Sequence, residues 1–88
     1  MKFINVGYNN MVSAEKIVAL VSFDSAPSKR LVQDSKDSGR AIDCTGGKKT
    51  KSVVIMNSGH VILSSVESEK LAARISAGED EDKEEAEQ

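Results

Sequence analysis

The chain has 88 residues, enough for one small domain, and its only rings are Phe3, Tyr8 and Phe23, so the core must be built from Ile, Val, Leu and Met. Its formal charge of −2 joins two unlike parts: residues 78–88 hold seven acids and one lysine, while residues 1–77 hold eleven Lys/Arg against seven Asp/Glu, a net of +4. No run of 18 apolar residues exists and the N-terminus lacks the long apolar stretch of a leader, so no membrane association and a cytoplasmic location are expected.

KFINV (2–6) reads as a short strand ended by Gly7 and the polar pair Asn9 and Asn10. EKIVALVSF (15–23) has no polar face between Ile17 and Val21, and its length and β-branching favour a strand over a buried helix. DSAPSKRLVQDSKDSGR (24–40) carries helix signals: Asp24 or Ser25 as N-cap, Pro27 in the first turn and Gly39 as a left-handed stop. Arg30 and Asp34 stand at the i,i+4 spacing of a surface ion pair, and Leu31 with Val32 supplies most of the helix's apolar contact.

AIDCT (41–45) is expected as a strand with Ile42 and Cys44 alternating to one side. After the turn region GGKKTK, SVVIM (52–56) and HVILSS (60–65) read as a hairpin, with Asn57 and Gly59 as the residues tolerant of positive φ. VESEKLAARISA (66–77) closes the body as a second helix, with Ser68 as its cap and Leu71 and Ile75 on one face. The pattern predicts an α+β fold, a small mostly antiparallel sheet with two helices, over a single domain at residues 1–77. Residues 78–88, acidic and without apolar anchors, are expected to form a disordered tail.

The strands KIVALV and SVVIM are apolar on both faces, which two lightly apolar helices are not expected to cover. The predicted consequence is an exposed apolar patch and homo-oligomerisation.

Among chemical motifs, a phosphate-binding P-loop fails at two required places: Ile42 stands where the first glycine belongs, and Lys49 rather than Ser or Thr follows Lys48. Lys48, Lys49 and Lys51 beside Gly46 and Gly47 can instead form a phosphate-contacting loop, against the plainer reading of a turn kept soluble by lysines. Lys49 and Lys51, two apart, would share a side and Lys48 would point away if the strand began early. Lys29, Arg30, Lys36 and Arg40 are balanced by Asp34 and Asp37 and read as a solvated face. Cys44 and His60 are the only thiol and imidazole, but no third group orients them, so a buried structural cysteine and a structural histidine are expected, and no enzyme. Asn5, Gly7, Asn9 and Asn10 read as a turn.

The segments KFINVGYNNMVSAEKIVALVS and SAPSKRLVQDSKDSGRAIDCTGGKKTKSVVIMNSGHVILSSV, in that order, resemble the RemA family of bacterial extracellular-matrix regulators over roughly residues 2–76. The strongest marks are INVG, SAP followed by KR, and the run from GRAID through GKKT and VVIM to HVILS. The resemblance implies a double-stranded-DNA-binding transcriptional activator of matrix and biofilm operons, and in some cases of osmoprotectant genes. It also implies a LytTR-like protomer assembling into a ring-shaped homo-oligomer, with no cofactor and no small-molecule substrate.

Lys16, Lys48 and Lys49 stand where the family carries DNA-contacting arginines. Their charge is kept, but the bidentate fork that reads guanine is lost, so the resemblance here implies phosphate contact rather than base readout. Gly46 stands where relatives can carry a bulky aromatic residue, which implies a missing stacking or packing group. With Lys51, these lysines are the expected DNA-binding residues, acting multivalently on bendable, repetitive DNA. The competing expectations are a small oligomeric scaffold whose lysines only solubilise it, and an RNA-binding module using the same loop.

Overall fold

The computed structural model describes residues 2–77, so the acidic tail lies outside the described residues. In chain order the elements are β1 (Phe3–Asn5), β2 (Met11–Ser13), a 3-10 turn (Ala14–Lys16), β3 (Ile17–Ser22) and α1 (Ala26–Asp37). They continue with β4 (Ala41–Asp43), β5 (Ser52–Met56), β6 (Val61–Ser64) and α2 (Ser68–Ala77). The chain is a small α+β domain with two sheets. β1 and β2 form an antiparallel hairpin, and the other strands form a sheet in the order β3-β5-β6-β4. The β3/β5 and β5/β6 pairs are antiparallel, while β4 runs parallel to β6.

The period of two along the central strands divides the core. Val53 of β5 and Val61 and Leu63 of β6 face α1, where Val32 and Leu31 meet them together with Val21 and Phe23. Their chain neighbours Val54 and Ile62 face the other way, onto Ile4, Val6, Val66 and Leu71, with Leu20, Ile17 and Ile75 closing the edges. The sheet is thus sandwiched between α1 on one side and α2 with the β1/β2 hairpin on the other. Leu71 is fully buried in the second layer, and its truncation to Ala is expected to cost about 2–5 kcal/mol.

This arrangement corrects the expectation of an uncovered face for β5, whereas β3, the other strand it concerned, lies at the sheet edge and leaves Val18 exposed. β5 and β6 are covered on both sides, because the N-terminal hairpin adds apolar side chains that the two helices lack. Among the described residues, exposure of large apolar side chains is confined to the hairpin and the edge strands: Phe3 46%, Met11 49%, Val18 65% and Ile42 44%.

Local signals match their elements where a backbone group needs a partner. The Ser25 hydroxyl caps α1 by accepting from Ser28 N, Pro27 lies in the first turn, and Gly39 takes φ +78° just past the end. Between β5 and β6 only Gly59, at φ +93°, uses the left-handed region, and Asn57 does not. Glu67, whose carbonyl accepts from Lys70 N and Leu71 N, opens α2 one residue ahead of the expected cap, Ser68. Among the described residues no ion pair joins Arg30 to Asp34. The exposed side of α1 instead carries a Gln33 Nε2 to Asp37 Oδ1 hydrogen bond of 3.1 Å.

The expected alternation of Ile42 and Cys44 also ends early, with Ile42 exposed and Cys44 buried. β4 stops at Asp43, whose carboxylate accepts from both Thr45 N and Thr45 Oγ1 and turns the chain away. Met11–Ser13, unassigned from the sequence, becomes a strand by pairing with Phe3–Asn5.

Buried polar groups tie the hairpin to the sheet. Ser64 Oγ donates to Val6 O at 2.8 Å, and the buried Arg74 reaches from α2 to donate to Asn5 O at 2.6 Å. Ser52 Oγ donates to Val66 O at 2.7 Å. Each bond keeps a buried acceptor partnered, and a charged donor such as Arg74 contributes roughly 1.5–3 kcal/mol.

Candidate nucleic-acid interface

The loop between β4 and β5 is built from its ends inward. Asp43 Oδ1 accepts from Thr45 N at 2.9 Å and Thr45 Oγ1 at 2.6 Å, and Thr45 Oγ1 in turn lies 3.3 Å from the donating Gly47 N. The hydrogen bonds from the Thr45 hydroxyl and then its amide hold the Asp43 carboxyl below the ordinary carboxylate range, and Lys36 adds to the effect. Gly46 and Gly47 both take positive φ, +64° and +86°, after which Lys48 N donates to Thr45 O. At the far end Lys51 N donates to Ser64 O and Lys51 O accepts from Phe23 N, which anchors the loop to the sheet.

The strand begins at Ser52, so the lysines belong to the loop and strand alternation does not separate them. Lys48, Lys49 and Lys51 line one cleft of about 500 Å³, joined by Lys70 from the first turn of α2 and by Tyr8 from the hairpin tip. Among the described residues, Glu67 is the only acid in that wall. It stands 3.9 Å from Lys51 with both side chains at least half exposed, so the pair contributes under about 1 kcal/mol. Among the described residues, Lys48, Lys49 and Lys70 make no ion pair.

Tyr8 reaches the cleft through a tight turn. Asn10 N donates to Gly7 O, the Asn10 side-chain amide donates to the same oxygen, and Gly7 N donates to Asn5 Oδ1. Tyr8 and Asn9 both adopt left-handed backbone, φ +54° and +64°. The conformation suits Asn9 but is unfavourable for Tyr8 by about 1–2 kcal/mol. Its ring lies directly over Gly46, where an added Cβ would meet Cε2 and Cζ at 2.6 Å. The Tyr8 ring therefore fills the space that a side chain at position 46 would need.

Lys16 is not brought to this cleft. It ends the 3-10 turn before β3, and its carbonyl accepts from Asn57 N at the far end of the β3/β5 ladder. The register pairs Ile17 with Met56 and Ser22 with Ser52, so a five-residue strand, about 17 Å, separates Lys16 from Lys51. Arg40 lies at the Lys16 end, where it donates to Gly59 O and Ser38 Oγ.

Cys44 and His60 do not meet. Cys44 is part of the buried layer beneath α2, where burial, and then the Asp43 charge, pushes its thiol pKa up. His60 is exposed on the β5/β6 turn with Nδ1 2.7 Å from Ser58 Oγ. In the parallel β4/β6 pairing His60 precedes Val61, opposite Ala41, which leaves it about 10 Å or more along the ladder from Cys44.

Sequence reading missed Tyr8 and Lys70 as lining groups and Asp43 as the loop's anchor. The Asp43-x-Thr45 spacing is a local sign of a side-chain-stabilised turn. Tyr8 and Lys70 carry no such sign, because they arrive from elements remote in the chain.

The family model described as RemA-like, extracellular matrix regulatory protein A-like, matches residues 3–75. A provisionally named regulatory protein of Geobacillus kaustophilus is 55% identical over 80 residues, covering 91% of this chain and 92% of its own length. Similarly named proteins of Heliobacterium modesticaldum and Dictyoglomus turgidum are 52% and 48% identical, over 90% and 93% of this chain and 87% and 96% of theirs. Among the described residues no helix is long and apolar enough to cross a membrane.

Proposed function

This chain belongs to the RemA-like family, whose relatives carry regulatory rather than catalytic names, and we propose that it is a DNA-binding transcriptional regulator. The observation that carries the reading is the cluster of Lys48, Lys49, Lys51 and Lys70 around one cleft wall with Glu67 as the lone acid among the described residues. Ammonium groups on flexible stems contact phosphate as point charges without the planar fork needed for bidentate base recognition. The resulting binding tolerates sequence and follows backbone shape.

A single such cluster is weak. The proposal includes a ring of LytTR-like protomers in the cytoplasm that repeats the cluster, so that each engaged site raises the effective concentration for the next. The exposed apolar side chains of Phe3, Met11, Val18 and Ile42 are available to contacts between copies. Lys16, at the other end of the sheet, then touches DNA at a second point rather than sharing a phosphate with Lys48. The regulated genes in this reading are those for extracellular matrix and biofilm.

The test is fluorescence anisotropy of a labelled duplex across a salt series, with light scattering for the oligomer and an RNA duplex of equal length as competitor. Steeply salt-dependent binding of DNA by an oligomer supports the proposal. Equal preference for RNA moves the function to RNA, and no binding of either leaves a scaffold.

A further inference from the structure

Two clefts of about 500 Å³ flank the β4/β5 loop and share Lys49, Lys51 and Glu67. In the cleft beside Phe23, Lys29, Lys49 and Lys51 face Asp24, Glu67 and Glu69, so charges cancel. In the other, among the described residues, Lys48, Lys49, Lys51 and Lys70 face Glu67 alone, and the Tyr8 ring forms part of the wall. Among the described residues the second cleft therefore has an excess of positive charge and an aromatic surface in one concavity of small-ligand size.

We propose that the Tyr8–Lys48–Lys70 cleft binds a free nucleoside polyphosphate, with the phosphates on the lysines and the base against the Tyr8 ring. Duplex DNA can use the lysines but not the ring, because its bases are stacked and paired within the helix. A single nucleotide presents an open base face, and stacking on an aromatic side chain is tolerant of which base it is. Among the described residues, four lysines against one glutamate suit a ligand carrying several negative charges on adjacent phosphates.

The backbone supports a positioned ring rather than a passive filler. Tyr8 is held at φ +54°, where a glycine or asparagine would be the ordinary choice, and position 46 beneath it is a glycine with no Cβ to displace it. A ligand in this cleft covers Lys48 and Lys49, so it would also lower affinity for DNA. That regulatory consequence rests on the DNA reading, whereas nucleotide binding itself does not.

The protein carries its own reporter, since Tyr8 is its only tyrosine and it has no tryptophan. The full chain is titrated without DNA, following the Tyr8 ring protons by NMR and binding by calorimetry, with ATP, tripolyphosphate and adenosine as probes. Ring-current shifts of Tyr8 with ATP but not tripolyphosphate are expected, with ATP binding at least five-fold tighter than tripolyphosphate. Lys48→Ala and Lys70→Ala each weaken both phosphate ligands, and Tyr8→Phe keeps the ATP preference. Equal affinity for ATP and tripolyphosphate with unmoved Tyr8 resonances overturns the proposal, as does the absence of ATP binding at millimolar concentration. A DNA anisotropy series with and without ATP separates the two readings: ATP bound without loss of DNA keeps the nucleotide site and removes the competition.

Discussion

The Tyr8 ring occupies the space in which any side chain at position 46 would stand, with Cε2 and Cζ 2.6 Å from the site of a Cβ on Gly46. A residue at the tip of the first hairpin thereby fixes what a loop far along the chain can carry. Gly46→Ala is expected to destabilise by about 2–4 kcal/mol, from left-handed strain at φ +64° plus the ring contact. Urea denaturation of Gly46→Ala, Tyr8→Ala and the double variant checks it. A coupling below about 0.5 kcal/mol would show that the two positions do not compete for space.

Lys48→Ala and Lys49→Ala should each weaken duplex binding while leaving the oligomer intact. Each is expected to lower the slope of log affinity against log salt by about 0.9 for every phosphate that the variant no longer neutralises. Because Lys16 lies at the other end of the β3/β5 ladder, Lys16→Ala combined with Lys48→Ala should be additive in free energy to within about 0.5 kcal/mol. A strongly non-additive pair in anisotropy would mean that Lys16 and Lys48 grip one phosphate.

Asp43 links the loop to acid stability. Its carboxyl titrates below the ordinary value of 3.8 in the folded chain, so the unfolded state binds the proton first as pH falls. The contribution is complete above the unfolded value and is lost as pH drops through the lowered folded value. Asp43→Asn keeps an acceptor for Thr45 but removes the titration, so its urea midpoint should fall less steeply than the parent's below about pH 4. Parallel pH profiles for the two proteins would refute that role.

Residues 78–88 carry a net of −6 against the +4 of the rest of the chain. Their removal should tighten binding to nonspecific duplex at low salt, because a tethered polyanion competes with phosphates for the same lysines. The difference should shrink as salt screens both interactions. An unchanged salt series after truncation at Ala77 would exclude the competition.

The parts whose causes are local were legible in the order of residues. Pro27 and the Ser25 hydroxyl start α1, Gly39 ends it, Gly59 turns β5 into β6, and the β-branched run Val53–Ile55 makes a strand, each because backbone geometry or a single hydrogen bond decides the outcome within a few residues. The division of charge between residues 1–77 and 78–88 was equally legible, as was the family through the order of its segments. The tertiary structure alone decided that α1 and the hairpin with α2 cover opposite faces of the sheet. It also decided that Lys70 and Tyr8 join Lys48 and Lys49, and that Lys16 does not. These proximities are set by burial of Val54, Ile62 and Leu71 against Ile4 and Val6, contacts between segments far apart in the chain, whose combined apolar burial has no signature in any short stretch. The TGGKKTK loop announced its charge in the sequence; the cleft that gathers that charge around an aromatic ring exists only once the hairpin has packed beneath the sheet.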